Sequence, residues 1–405
     1  MATRMQTKFS PVVPGLIAVA VILLAIIYFL PIWWVSLEAP NYPPEAFPDG
    51  VRIHFHMNGV FNGCKKVEST EIVEEESLDC VHEMDTINHY VGMYPIAAGG
   101  PVEKAYSQFL VTLLAIMLIG FAITQPKLRL AVMGVGFAAL AGWMYATMYT
   151  PGGLKLQTTG YVEALIAALD QGKGEEQPVA SMSSAHDIIE QLRRSLEQSA
   201  GAEQAQEEKK LSEKERYIAS LRTAFEQDQA RKGSDEAWTG SSFQVMSWHY
   251  EKNLGRYFNN PDEIQPMAAK MKLAVHVVFV AVIVAMLILL WGARKPGGAI
   301  YWLMALAPAA LPVFFVIEYS AWLWWFGHNL NEMGAFTVKP FMPTVFGDGK
   351  VAQFTTHSYP YWGFGLMLVY SAVVCLAALL RFKQVRQMEG AGLQTQTGGQ
   401  SLAGV

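Results

Sequence analysis

Six stretches of almost unbroken apolar residues dominate the chain, at 12–34, 107–125, 129–149, 272–292, 299–326 and 361–380. A helix of about 20 apolar residues crosses a hydrocarbon layer roughly 30 Å thick, so each stretch predicts a transmembrane span. The 129–149 stretch is rich in Gly and Ala, and its reading leans on the return path its neighbour requires. Pro308 and Pro312 lie within the fifth stretch and predict a kink there. The expected fold class is an all-α integral membrane protein with about six transmembrane helices, extracytoplasmic loops and a helical extracytoplasmic insertion.

The polar stretches divide the rest. Residues 1–35 hold a tail and the first span, 36–106 a loop, 107–149 a two-span hairpin and 150–271 an insertion. A second hairpin follows at 272–326, then a loop at 327–360, the sixth span at 361–381 and a tail at 382–405. Within the insertion, apolar residues recur at helical spacing in 161–169, 188–199 and 213–228, with Ile188, Ile189, Leu192 and Leu196 on one face. Two or three amphipathic helices are expected, separated by a charged linker near 201–212. They read either as a solvated hairpin packed on itself or as an arm, across 155–245, that docks another subunit. The Gly-, Gln- and Ser-rich end at 388–405 predicts disorder.

Basic residues set the orientation. Arg4 and Lys8, Lys127 and Arg129, Arg294 and Lys295, and Arg381, Lys383 and Arg386 all fall on one side if every span is real. Both termini are therefore expected in the cytoplasm, with the main loops in the periplasm of a bacterial inner membrane. The first span is longer than a signal-peptide core and no A-x-A site follows it, which predicts an uncleaved anchor. Trp33, Trp34, Trp322, Trp324 and Trp325 are expected at headgroup depth. Composition agrees with a membrane class: 16% of residues are charged, against about 25% in soluble domains. A net charge of −5 offers no basic field for nucleic acid.

None of the nine histidines falls in the expected cytoplasmic parts. The first loop is densest in candidate ligands: His54, His56 and Met57 in HFHM, then His82 and Met84 in CVHEM, then His89 and Met93. In an extended strand His54 and His56 share one face. Imidazole with thioether and thiolate is a set that suits copper. Cys64 and Cys80 face an oxidising compartment and are expected to form a disulfide, which would draw HFHM and HEM together; Cys375 reads as apolar filling. His328 and His357 flank the last loop and either line a shared pocket with His249 or cap their helix ends. Within the bilayer, Glu318 and His276 are expected to pair, as a functional site or a structural hydrogen bond. No HExxH zinc motif, P-loop or CxxCH haem motif occurs, and no constellation supplies nucleophile, base and orienter.

Three stretches carry a resemblance: LEAPNYP at 37–43, INHYVGMYPI at 87–96, and GHNLN at 327–331 followed by Lys339-Pro340 and TTHSYP at 355–360. Together they resemble small membrane proteins encoded beside nitrous oxide reductase maturation genes. That resemblance implies an accessory of copper-site maturation or delivery, and it favours His89, Met93 and His328. The expected function is a non-catalytic protein that binds or hands on copper to a respiratory or oxidative copper enzyme or its assembly factors. A structural subunit docking through 155–245 is the alternative, and a transporter using Glu318 a further one.

Overall fold

The computed structural model describes residues 11–64, 79–170, 212–295, 297–351 and 353–400. Helix α1 (Val12–Phe29) is apolar on every side, as a lipid-facing helix must be, and ends where Pro31 removes a donor. The chain continues at once into strand β1 (Trp33–Glu38), then β2 (Val51–His56) and β3 (Gly59–Asn62). Helix α2 (Cys80–Tyr90) follows, with Asp79 accepting from the Val81 and His82 N–H groups at its start. The long helices α3 (Pro101–Ala122) and α4 (Pro126–Tyr149) form the first hairpin. The insertion contributes α5 (Thr159–Asp170), α6 (Glu213–Lys232) and α7 (Ser242–Leu254). Then come α8 (Pro261–Gly292), α9 (Ala299–Ala309), α10 (Leu311–His328), β4 (Gly347–Val351), β5 (Phe354–Pro360) and α11 (Trp362–Gln400).

Five of these helices are long and apolar enough to cross a membrane, and α9 with α10 makes a sixth if the bent pair counts as one span. The pair turns by 63° at Ala310, between the two prolines that predict a kink. The purely α class is corrected. A five-stranded antiparallel sheet, in the order β3-β2-β1-β5-β4, covers one end of the bundle. It forms because β1 and β5 are direct extensions of α1 and α11, which pack together. The seam is continuous: Tyr361 N–H donates to Ile32 O and Gly363 N–H to Pro31 O, both at 2.9 Å. A Cβ on Gly363 would stand 2.6 Å from Pro31 O, so the crossing from strand to helix needs a glycine.

Trp33 is corrected from a headgroup anchor to a core residue. It is 3% exposed, packs on Phe315, Tyr319 and Phe364, and its Nε1–H donates to Ser358 Oγ at 2.9 Å. The Ser358 hydroxyl in turn donates to Val345 O at 2.8 Å. Trp322 and Trp325 pack on each other, Trp324 is exposed, and Trp34 lies against Tyr359 under the Arg52 guanidinium.

At the opposite end two buried arginines close the bundle. Arg129 donates to Ile123 O from Nε at 3.0 Å and Nη2 at 2.7 Å, and to Ala293 O from Nη1 at 3.0 Å. Arg381 donates to Ala122 O at 2.8 Å, and Tyr301 Oη–H to Phe121 O at 3.2 Å. The last carbonyls of α3 thus find the donors that a helix end lacks.

In the insertion, α5 and α6 pack on each other and α7 inserts behind them. Ser212 and Glu215 form a capping box at the start of α6. His249 is buried there: its Nε2–H donates to Leu165 O at 2.9 Å and Asn253 Nδ2 approaches Nδ1 at 3.2 Å, and these contacts involve neither His328 nor His357. The expected helix at 188–199 and all but the end of the linker at 201–212 lie outside the described residues, as do Arg4 and Lys8. Helix α11 runs past the expected end of the sixth span as far as Gln400, through most of the tail whose composition predicts disorder. Extending an existing helix needs no new nucleus.

Candidate functional site

Beneath the sheet lies a cavity of about 680 Å³. Strand alternation builds its roof: Val35, Leu37, Ile53 and Phe55 all point from β1 and β2 to one side. Helix α2 adds Met84, Ile87 and Asn88 to the wall, and the segment after α10 adds Met342 and Pro343. The floor comes from α3, where Ser107, Leu110, Val111 and Leu114 follow helical spacing, and from Ala307, Leu311 and Phe314 beside the bend.

Three charged side chains enter this largely apolar wall. Glu103 and Lys104 come from the first turns of α3 and Glu318 from α10, one turn below Trp322. Gly100 starts α3 at φ +57, where a side chain would be strained. A Cβ there would meet Glu103 Oε2 and Trp322 Nε1, each at 3.8 Å, so these two groups flank one point. Lys104 does not face the carboxylates alone: its Nζ donates to Ala97 O at 2.8 Å and it interacts electrostatically with Asp85.

Asp85 is fully buried on α2 behind this wall. Its Oδ1 accepts from Ile96 N–H at 2.7 Å, and its Oδ2 lies 4.0 Å from Arg256 Nη1. Arg256 also donates from Nη2 to His82 Nδ1 at 2.9 Å. Burial pushes the Asp85 carboxyl from 3.8 up to about 7, although the Ile96 bond and Arg256 pull the other way. A raised carboxyl holds its proton in the folded state when the unfolded chain has already lost it. Its stabilisation is therefore complete below about 3.8 and disappears as pH rises through about 7. Asp85→Asn keeps an acceptor for Ile96 but removes the titration. Melting curves between pH 4 and 7 are expected to fall with pH more steeply for the wild type than for the variant. Equal slopes would refute this assignment.

Among the described residues no group of three His, Cys, Asp or Glu side chains is placed to hold a metal ion, while His56, Met57, Met84 and Met93 all line the cavity. The Cys64–Cys80 disulfide forms, with Cα atoms 6.0 Å apart, and brings α2 onto the sheet. It brings α2 to the face of Val51 and Ile53, however, and Met84 packs there. His54 and His56 alternate with those residues along the strand. His54 stacks on Tyr361 and His56 meets the edge of Phe61, while Met57 packs against the main core. His82 accepts from Arg256, and His89 Nδ1–H donates to Thr86 O at 2.6 Å while the ring stacks on Tyr257. Met93 is buried in the main core. His328 bonds Trp324 O at 2.8 Å, and His357 lies 2.6 Å from Asp348 and 3.7 Å from Glu38.

The expected His276–Glu318 pair does not form. His276 Nδ1 lies 2.9 Å from Tyr149 Oη and the two rings stack, which turns it to α4, whereas Glu318 faces the cavity. Sequence reasoning passed over Glu103, Lys104 and Asp85. The available signal was a Glu-Lys pair set flush against an apolar run; for Asp85 there was none. Comparison with protein-family models, curated proteins and solved structures finds no match, so the reading of function rests on this geometry.

Proposed function

We propose that the chain is a non-catalytic membrane protein that holds an amphipathic, bilayer-derived molecule in the cavity beneath the sheet, on the extracytoplasmic side. The cavity carries this reading. Its size of about 680 Å³, its apolar lining and its sparse polar groups match small-molecule sites. Wild-type protein purified in mild detergent is expected to carry about one extractable lipid-class molecule per chain, by mass spectrometry. Ala307→Trp with Leu110→Trp, which fill the floor, should remove it. A wild-type protein free of such molecules would sink the reading.

A second reading, copper binding for a respiratory or oxidative copper enzyme, keeps one specific support besides the resemblance. His54 and His56 share a strand face, and His54 Nε2 is buried without a hydrogen-bond partner. Burial, and then Arg52, lowers the pKa of His54; burial, and then His54, pushes His56 down to about 4, so both rings are neutral and fit to ligate. Copper analysis of the same preparation decides: no copper above background, or equal content in His54→Ala/His56→Ala, defeats it.

A further inference from the structure

The cavity's charges point to what distinguishes its occupant, an inference that rests on the amphiphile reading. An acyl chain gains almost nothing by moving from the bilayer into an apolar cavity, because lipid tails are as apolar as leucine. The apolar floor, about 15 Å from Lys104 to Leu114 by helical rise, admits a chain without choosing it. Selection must come from the polar groups. Of the three charges, Lys104 donates to Ala97 O and interacts electrostatically first with Glu103 and then with the buried Asp85, so it offsets Glu103 only in part. Glu103 and Glu318 act on each other as like charges, and neither has a hydrogen bond or ion pair among the described residues. Trp322 stands beside both, one turn from Glu318 on α10 and at the same point as Glu103 beside Gly100. Two acidic side chains beside an indole form a place for an organic cation, held chiefly through charge.

We propose that the Glu103–Glu318–Trp322 corner receives the ammonium head of an amine-bearing phospholipid whose chain enters the floor between α3 and the bend. The full chain in mild detergent, supplied with equal amounts of phosphatidylethanolamine and phosphatidylglycerol, provides the test, with bound lipid counted by native mass spectrometry. The wild type is expected to retain the ethanolamine lipid about tenfold over the glycerol lipid. Glu103→Gln/Glu318→Gln is expected to bring that ratio close to one while a lipid stays bound. Acetylating the lipid nitrogen, which removes its charge without touching the protein, should have the same effect and covers the case in which the variant fails to fold. A wild-type ratio near one, or an unchanged ratio on acetylation, overturns the head-group assignment yet leaves the cavity reading in place. No bound lipid at all overturns both. Phosphoethanolamine without chains is expected not to compete; displacement by it at equal concentration would assign the corner to a soluble amine and overturn the lipid.

Discussion

Arg129→Met is expected to destabilise the bundle by roughly 3–5 kcal/mol, one of the two largest effects of any single site considered. The guanidinium is 1% exposed and makes three hydrogen bonds to the carbonyls of Ile123 and Ala293, so it ties the end of α3 to the end of α8. Methionine fills much of the same space but donates nothing, leaving both carbonyls unsatisfied where water is scarce. Neutral side-chain bonds between membrane helices average well under 1 kcal/mol, about 0.6. This one differs because a charged, forked donor meets main-chain acceptors that have no alternative partner. Arg129→Lys should fall between, since one ammonium cannot span two helix ends as a guanidinium does. Thermal unfolding in detergent, followed by tryptophan fluorescence, measures the series; a methionine variant that melts with the wild type would disprove the capping role.

Replacing both Cys64 and Cys80 by serine is expected to cost about 3 kcal/mol in the sheet end, from the freedom returned to a loop of this length. The bond spans 16 positions and joins the segment just after β3 to the first residue of α2, where Asn62 Oδ1 accepts from both cysteine N–H groups, at 3.0 and 3.3 Å. Because α2 supplies Met84 and Ile87 to the cavity wall, the same change should also weaken lipid retention. Reductant should lower the wild-type melting point to that of the double variant and leave the variant unmoved. A wild type indifferent to reductant would contradict the prediction.

The spans were legible because each is a local property: twenty apolar residues announce themselves without reference to anything distant. The kink at Ala310 was legible for the same reason, from two prolines. The disulfide followed from compartment and parity. The sheet was not legible, because WWVSLE reads as the end of a span and GDGKV as part of a loop; what makes β1 and β5 strands is their pairing across more than three hundred positions. HFHM was correctly taken as extended, yet period two cannot say which face the disulfide will bring α2 against. Glu318 stood out by its surroundings, but its neighbours did not: Glu103 arrives from α3 and Trp322 from the next turn, and only the packing of the two helices sets them on one cavity. Arg129 and Arg381 were read as orientation markers, and their capping role depends on helix ends that charge bias does not locate.

The register of the central strands has a consequence for assembly. Val35 faces Ser358, some three hundred positions later, so the middle of the sheet joins nearly the first and the last described spans. During synthesis β1 must therefore wait with one edge bare while all the intervening helices are made, a state open to wrong partners. Phe354 and Thr356, which complete the roof, arrive only with that final strand. The compartment under the sheet consequently acquires its ceiling in the closing step of biogenesis, and any ligand it holds can be enclosed only by a finished chain.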